Sequence, residues 1–312
     1  MKITVIGYGI QGRAQALNLR DSGHEVVIAN RKDKYLNQAV EDGFDVISIE
    51  ESIIDSEVIF LLIPDAVQNE ILTDFIFPNI SEGSSIVFAH GYWLNYESDN
   101  MPKNINVFMI APRFPGEQIR QTYLMDGGVP AYVDIVQDYS GNGNSILKNL
   151  TDSLGFSKGG VINLSFKQEA EIDLFIEQFM APTFFASAET AYELLIKKGY
   201  PKEAVCLELY FSGELGAVRS MMGRDGLYEG FQKNASPTCQ YGVSSSRASL
   251  WGEDMKQKAE MQLERITSGK FSEELSDHEN ASKLVDEFVE SKIAKDIKNT
   301  EKKVNKIVKK YL

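Results

Sequence analysis

The sequence predicts an α/β protein, in which an N-terminal Rossmann-like doubly wound parallel sheet is followed by an all-α C-terminal domain. Over the first half of the chain, short apolar runs alternate with helix-length amphipathic stretches, which is the rhythm of βαβ units. The first run leads directly into a glycine-rich turn, and strand signals largely stop near residue 165. We therefore expect two domains, residues 1–165 and residues 166–312.

The strand candidates are apolar runs separated by stretches long enough to form helices. In chain order they are residues 3–6, 26–29, 58–63, 86–89, 107–111, 131–136 and 160–164. Such runs separated by helix-length stretches are typical of a parallel sheet. Beyond residue 166 the chain is punctuated by turn signals at residues 199–201, 223–230 and 242–249, which separate helical patterns.

The first strand candidate ends in a turn with the spacing of a dinucleotide-binding motif. In such a turn the first glycine allows a tight bend, the second lets the backbone approach a pyrophosphate, and the third lets the helix pack closely on the strand. The helix N-terminus then faces the phosphates. We therefore predict that the cofactor is bound by Gly7, Tyr8, Gly9, Ile10, Gln11 and Gly12.

The end of the second strand candidate bears on the choice between NAD and NADP. An acidic residue about 20 positions after the glycines usually binds the ribose hydroxyls of NAD, whereas a basic group accommodates the 2′-phosphate of NADP. Here the neutral Asn30 is followed by Arg31 and Lys32, which favours NADP. Asp33 in the same loop could bind ribose instead and keeps NAD as the alternative.

Composition narrows the classes of function. The net charge is −13 and the isoelectric point is near 4.8, whereas a nucleic-acid-binding protein normally carries a basic domain or stripe. Cys206 and Cys239 form neither a CxxC motif nor a Cys/His cluster, so no disulfide framework or zinc site is indicated. The chain contains no apolar run of the roughly 18 residues that a membrane span requires. The lysine-rich C-terminal segment is predicted to form an amphipathic helix. Acidic residues lie among its lysines, which disfavours binding of this helix to a membrane surface. We expect a cytoplasmic protein that binds small molecules.

Acidic residues mark the first helix of the predicted second domain. Asp173 and Glu177 are four residues apart and therefore project from one helix face. Carboxylate oxygens are the ligands that hard cations prefer, although a solvated helix face is the alternative interpretation. Glu208 lies in another apolar helical stretch, where a buried acid would be costly unless it were paired or bound to a cation.

Several motifs together resemble one enzyme family. They are Gly7-Tyr-Gly-Ile-Gln-Gly12, Leu62-Ile-Pro-Asp65, Phe88-Ala-His-Gly91, Val107-Phe-Met-Ile-Ala-Pro112, Pro115-Gly116, Gly128-Val-Pro130 and Asp173-Leu-Phe-Ile-Glu-Gln178. From Met1 to about Asn280 their order and spacing are similar to those of short-class ketol-acid reductoisomerases.

The resemblance implies a reaction, its cofactors and a set of site residues. The implied substrate is a 2-acetohydroxy acid such as 2-acetolactate. Magnesium would assist an alkyl shift, and NADPH would reduce the product to a 2,3-dihydroxy acid, in branched-chain amino acid biosynthesis. The implied residues are His90 in the active site, Ser236 for the substrate, Pro64, Asp65, His90 and Gly116 for the cofactor, and Asp173, Glu177 and Glu208 for the metal. Glu208 would come from the partner subunit of a homodimer.

Two departures from the family pattern affect the implied chemistry. Ser212 stands where the family has a second glutamate one turn after Glu208, so the number of magnesium ions, one or two, stays open. The neutral hydroxyl of Ser212 cannot supply the negative charge of the missing glutamate. Glu214 could supply that charge only if a local bulge in the helix turned its side chain toward the metal. Arg113 replaces the family's active-site lysine; it keeps the charge but cannot readily transfer a proton. Its planar fork suits a substrate carboxylate, and we take Arg113 and Glu177 as catalytic candidates with His90.

Three aromatic residues stand at positions where the family usually has other residues. Phe114 adds bulk beside the predicted cofactor, and Tyr92 and Trp93 are expected to reshape the pocket.

Three hypotheses follow from these departures. The chain is a reductoisomerase with an altered metal site, an NADP-dependent 2-keto acid reductase that has lost the isomerisation, or a catalytically silent nucleotide-binding homologue.

Overall fold

The computed structural model describes residues 1–308. The chain divides into two compact units, Met1–Asp173 and Leu174–Leu312. The last four residues of the predicted second domain, 309–312, lie outside the described residues.

An eight-stranded sheet organises the first unit, with the strand order β3-β2-β1-β4-β5-β6-β7-β8. The strands are β1 Lys2–Ile6, β2 Glu25–Ala29, β3 Val46–Ile47, β4 Val58–Leu61, β5 Ser85–Phe88, β6 Asn106–Pro112, β7 Ala131–Gln137 and β8 Val161–Asn163. The order reverses at β1, from which the chain runs outward first to β2 and later to β4. Ligands of open α/β sheets bind at such a switch point, outside the carboxyl ends of the strands.

Both faces of the sheet are buried against helices. Along β4, Val58 and Phe60 belong to one core cluster, whereas Ile59 belongs to the other, as the alternation of side chains along a strand requires. The helices of this unit are α1 Ile10–Asp21, α2 Lys34–Glu41, α3 Ile49–Ile53, α4 Asp65–Ile71, α5 Tyr92–Tyr96, α6 Gly116–Leu124, α7 Gly143–Ser153 and α8 Phe156–Gly159. A π-helical turn, Leu72–Ile76, follows α4, and a 3-10 turn, Ser98–Asn100, follows α5.

The observed sheet differs from the sequence expectation in two details. The strand β3 was not predicted, because two residues are too few to produce a recognisable pattern. The strand β7 runs antiparallel to β6, with Ile110 opposite Val133, whereas the other pairs are parallel. An apolar run indicates a buried strand but carries no information on its direction, which explains this miss.

The described part of the second unit is helical. Helix α9, Phe166–Lys197, begins in the first unit and is followed by α10 Lys202–Cys206, α11 Glu214–Asp225, α12 Leu227–Asn234, α13 Pro237–Leu250, α14 Glu253–Thr267, α15 Lys270–Ser276, α16 His278–Val289 and α17 Lys292–Ile307. A π-helical turn, Leu207–Phe211, lies between α10 and α11. The predicted class, a Rossmann-like sheet followed by an all-α region, is confirmed. None of the described helices combines the length and apolar character needed to cross a membrane.

Candidate active site

The glycine turn between β1 and α1 has the three geometric properties that its spacing predicts. Gly7 has φ of +95°, and a Cβ there would lie 2.5 Å from the carbonyl oxygen of Leu62. A Cβ on Gly12 would lie 1.9 Å from the carbonyl oxygen of Gly7, so helix and strand are in direct backbone contact. A Cβ on Gly9, by contrast, would meet no atom within 4 Å. The turn therefore leaves open backbone at the position where a dinucleotide approaches.

Neighbouring side chains hold the glycine turn in place. Tyr8 is fully buried, its hydroxyl donates to Asp42 at 2.8 Å, and its backbone N–H donates to the Asn30 side chain at 2.9 Å. Gln11 donates to the carbonyl of Phe114 at 3.0 Å. Ile10 is 66% exposed. The side chains of Tyr8 and Asn30 thus position the turn, and only the backbone of Tyr8 belongs to the open loop.

The loop after β2 presents basic groups and restrains its one carboxylate. Asp33 caps α2 by accepting the N–H of Tyr35 at 2.9 Å, and it also accepts from Asn30 and Arg31 at 3.0 Å each. Desolvation raises the pKa of Asp33, but these hydrogen bonds outweigh it and hold the pKa below its usual range. Arg31 and Lys32 are exposed. The carboxylate is therefore occupied within the loop, while the basic side chains face solvent.

A cavity of about 490 Å³ opens at the carboxyl ends of β1, β4, β5 and β6. Its lining includes Gln11 of the glycine turn, Pro64 and Asp65 after β4, His90 after β5, Arg113 and Phe114 after β6, and Asp173 of α9. Gln68 also lines the cavity; it is 5% exposed, and its Oε1 has no hydrogen-bond partner. A buried acceptor without a partner fits a ligand that offers an N–H group.

His90 is held by a carboxylate that sequence reasoning missed. Its Nδ1 lies 2.9 Å from Oε2 of Glu169, and the N–H of Gly91 donates to the same oxygen at 2.7 Å. Glu169 is fully buried. A Cβ on Gly91 would lie 2.1 Å from the carbonyl oxygen of Phe166, so only glycine allows α9 to begin this close to the β5 loop. The missed signal is the spacing, because Glu169 precedes Asp173 by one helical turn.

Arg113 joins the two carboxylates of α9. Its Nη1 donates to Oδ1 of Asp173 and its Nη2 to Oε1 of Glu169, both at 2.7 Å. Its Nε donates to the carbonyl of Ala111 at 3.3 Å, and its Cζ lies 4.9 Å from the centre of the Tyr132 ring. The guanidinium is thus fixed at the cavity wall by backbone, ring and carboxylates together.

Burial and mutual attraction set the charges of this cluster. Burial lowers the pKa of His90, but the hydrogen bond and negative charge of Glu169, with smaller effects of Asp65 and Asp173, raise it above the usual value. Burial raises the pKa of Glu169, but His90, the Gly91 N–H and Arg113 hold it below its usual range. Burial raises the pKa of Asp65, against the opposing effect of His90. The cluster therefore favours a protonated histidine beside an ionised Glu169.

The donor set fits a hard cation only in part. Ligand atoms of His90, Glu169 and Asp173 lie within 4.8 Å of one another. Glu169, however, is already bonded by His90, Gly91 and Arg113. Asp173 has Oδ1 bonded to Arg113, while Oδ2 lies 3.9 Å from Nδ1 of His90. Among the carboxylate oxygens of this group, Oδ2 of Asp173 is the one best suited to a cation such as Mg²⁺.

The remaining predicted site residues lie in the second unit and are exposed there. Glu177 follows Asp173 by one turn of α9, and Ser236 caps α13 by accepting the N–H of Cys239 at 3.2 Å. Glu208 is exposed rather than buried, and it lies in the π-helical turn. The turn ends at Phe211, and Gly213, with φ of +84°, is the N-cap of α11, which begins at Glu214.

Neither Tyr92 nor Trp93 lines the cavity, contrary to the expectation that they reshape it directly. Trp93 is 1% exposed, stacks on Phe88 with ring centres 5.3 Å apart and donates to Asn69 at 3.2 Å. Tyr92 is 4% exposed. Trp93 belongs to the apolar core, whereas the Tyr92 ring stacks on the ring of His90 with centres 6.3 Å apart, so Tyr92 supports the cavity wall from behind. Phe114, at 44% exposure, does line it, and Gly116 packs α6 against the backbone of Ile10.

The chain matches two family models that together cover nearly all of it. The model of the acetohydroxy acid isomeroreductase NADPH-binding domain matches residues 1–160. The model of the ketol-acid reductoisomerase C-terminal domain matches residues 166–310 and so extends past Asn280, where the resemblance in the motifs ends. The enzymes of this family are NAD(P)-dependent oxidoreductases that use Mg²⁺.

Individual relatives agree with the family models. The chain is 38% identical over 274 residues to the ketol-acid reductoisomerase (NADP(+)) of Pyrobaculum aerophilum, covering 87% of this chain and 83% of the relative. It is 37% identical over 276 residues to that of Methanocaldococcus jannaschii, covering 88% and 83%. The solved structure of an NADH-preferring ketol-acid reductoisomerase from an uncultured archean matches with a TM-score of 0.90 at 28% identity, covering 99% of this chain and 95% of that chain.

Proposed function

The chain belongs to the ketol-acid reductoisomerase family, and we propose that it carries out both steps of the implied reaction. The first step is alkyl migration in a 2-acetohydroxy acid such as 2-acetolactate, and the second is reduction by NADPH to a 2,3-dihydroxy acid. One observation supports this proposal above the others. His90, Glu169, Arg113 and Asp173 form a connected cluster at a cavity that also reaches the glycine turn.

His90 is proposed to exchange the proton that the reaction requires. Its Nδ1 is engaged by Glu169, so Nε2 is the ring nitrogen left to donate to, or accept from, a bound oxygen. Glu169 fixes the ring and favours its protonated form. The pair thereby supports general acid–base catalysis at the cavity wall.

Magnesium, when bound, would supply Lewis-acid polarisation of the hydroxyl and carbonyl oxygens of the substrate. Asp173 would hold it through Oδ2, and Glu177 is proposed as a further ligand. Glu208, supplied by the partner subunit of a homodimer, is proposed as another. Glu214 is also proposed as a candidate metal ligand, because it begins α11 after the π-helical turn. Ser236 is proposed to contact the substrate.

The loop after β2 supports NADP over NAD. The carboxylate of Asp33 is bonded within the loop, which weakens its ability to bind ribose hydroxyls. Lys32 is exposed, and Arg31 is 87% exposed although its Nε is bonded to Asp33, so both are proposed to contact a 2′-phosphate. We further propose that Oε1 of Gln68 accepts an N–H of the nicotinamide carboxamide, since it is buried at the cavity without a partner.

A second function is favoured by one observation. Arg113 takes one oxygen of Asp173 and so reduces what that carboxylate offers to a metal. If this loss abolishes the alkyl shift, the chain is an NADP-dependent reductase of the already isomerised 3-hydroxy-2-keto acid, and the substrate carboxylate is bound by the second N–H of each Nη of Arg113.

Turnover of the two substrates distinguishes these functions. NADPH oxidation is measured with 2-acetolactate and with the isomerised 3-hydroxy-2-keto acid, each with Mg²⁺ and with EDTA. We expect turnover of both, with a strict need for Mg²⁺ by 2-acetolactate. Turnover of the isomerised acid alone would identify the reductase, and turnover of neither would refute both functions. The variant H90N should lose activity with either substrate, while H24N, a matched histidine bonded to Ser153, should retain it.

A further inference from the structure

The guanidinium of Arg113 occupies the place of a cation between two carboxylates. It bonds Asp173 and Glu169 at 2.7 Å each, one through Nη1 and one through Nη2. The carbonyl of Ala111 and the ring of Tyr132 hold it from other sides. Four separate contacts therefore fix one positive charge at this point of the cavity wall.

This arrangement is more than a surface ion pair. Glu169 has 0% side-chain exposure, Arg113 has 24% and Asp173 has 31%. Charged hydrogen bonds in such partly dehydrated surroundings are stronger and less screened by salt than those in open solvent. A ligand that needs Asp173 must compete with this arrangement.

A divalent cation and the guanidinium have opposing requirements at Asp173. Oδ1 cannot serve Arg113 and a metal equally well, and a metal on Oδ2 would lie next to a fixed positive charge. The number of uncompensated carboxylate charges sets much of the affinity of a hard-cation site. Arg113 compensates one of them.

We propose that Arg113 is a built-in competitor for Mg²⁺ at Asp173, which lowers the metal affinity of this chain. The inference rests on the proposed function only in taking Mg²⁺ as the cation. Lysine at this position would carry the same charge but has one ammonium group in place of a two-pronged fork. Exchange of Arg113 for lysine would therefore release Asp173 or Glu169, and exchange for a neutral residue would release both.

Direct metal binding tests this proposal without reference to turnover. Mg²⁺ binding by the full-length protein is measured by calorimetry, and Mn²⁺ binding by electron paramagnetic resonance, for wild type, R113K and R113Q. The matched control is R120K, since Arg120 also pairs with an aspartate, Asp21, and lies 5.5 Å from a tyrosine ring centre. Circular dichroism checks that each variant is folded, and R113K, which keeps the charge, serves if R113Q does not fold.

The expected result is a rise in Mg²⁺ affinity of about tenfold in R113Q, a smaller rise in R113K and none in R120K. The gain should disappear in R113Q/D173N. Unchanged or weaker binding in both Arg113 variants would overturn the proposal, as would a gain that survives D173N. Failure of 2-acetolactate turnover together with the expected binding result would refute the proposed function and leave this inference standing.

Discussion

Glu169 is a fully buried carboxylate on which two cationic groups converge. His90 and Arg113 each bond one of its oxygens, and the N–H of Gly91 completes the set. A buried acid is tolerated when its charge is compensated in this way, and its removal leaves the partners uncompensated. The site therefore depends on a residue that need not touch the substrate.

Stability measurements test how much Glu169 contributes to the free energy of unfolding. We expect E169Q to lower the free energy of unfolding by about 2–4 kcal/mol, because Arg113 loses a buried partner. The matched control is E171Q, since Glu171 is partly exposed and lies 3.9 Å from Lys167 in an ordinary helix pair. Urea denaturation provides the comparison. Equal stability of the two variants would show that the buried carboxylate is not what holds the cluster.

Asp42 links the glycine turn to α1 in a pH-dependent way. Its carboxylate accepts from Nε of Arg13 at 2.6 Å and from the hydroxyl of Tyr8 at 2.8 Å. The hydrogen bond from Arg13, with the Tyr8 contact and the positive charge, outweighs desolvation and holds the pKa of Asp42 below its usual range. The stabilisation is thus present above the unfolded-state pKa and is lost as pH falls through the folded-state pKa.

We expect D42N to be less stable than wild type at pH 7 by on the order of 1–2 kcal/mol. The difference should persist down to about pH 4 and shrink below it, as the wild-type carboxyl also becomes protonated. Thermal melts between pH 3 and pH 7 measure it, with D45N at the exposed Asp45 as the control. A stability difference that grows on acidification would refute this assignment.

At the scale of elements, two glycines of one turn have different tasks. A Cβ on Gly12 would collide with the backbone of Gly7 at 1.9 Å, whereas a Cβ on Gly9 would enter open space. We expect G12A to lower Tm by several degrees and G9A to change it little. G9A should instead weaken NADPH binding, measured by fluorescence titration, because its methyl group fills the approach to the pyrophosphate. Equal thermal destabilisation of the two variants would contradict this division of tasks.

The elements that the sequence predicted are those with a local signal. The glycine turn, the apolar runs and the change to helices near residue 165 all follow from residue spacing. The direction of β7 does not, because it is decided by its pairing with β6. The burial of Trp93 does not follow from the sequence either, because its departure from the family pattern suggests a pocket residue, whereas the packing of α5 places it in the core.

The candidate site was predictable in its composition but not in its connections. His90, Arg113 and Asp173 were recognised from family motifs. Helix α9 carries several acids within three turns, and only the tertiary structure distinguishes the buried Glu169 from the exposed Glu177. The pairing of Arg113 with Asp173 spans 60 positions of the chain and has no local signature.

At the scale of the whole molecule, the proposed homodimer makes a prediction of its own. Asp173 and Glu208 are both proposed metal ligands, so D173N and E208Q should each be inactive. If the two carboxylates of one site come from different subunits, the two variants should complement each other. The two variants are unfolded, mixed in equal amounts and refolded together. Roughly a quarter of wild-type activity should return, because about half of the dimers would be mixed and each mixed dimer would contain one intact site of two. The matched control mixes D173N with H90N, whose defects share one unit and should not complement. An absence of recovery in the first mixture, with light scattering showing dimers, would exclude the shared site.

We propose that one chain performs both the alkyl shift and the reduction. The most direct test supplies 2-acetolactate, Mg²⁺ and NADPH carrying deuterium at the transferable position, and identifies the product by mass spectrometry. We expect a 2,3-dihydroxy acid with the migrated carbon skeleton and one deuterium. Recovery of 2-acetolactate unchanged, while the isomerised keto acid gives the deuterated product, would contradict it.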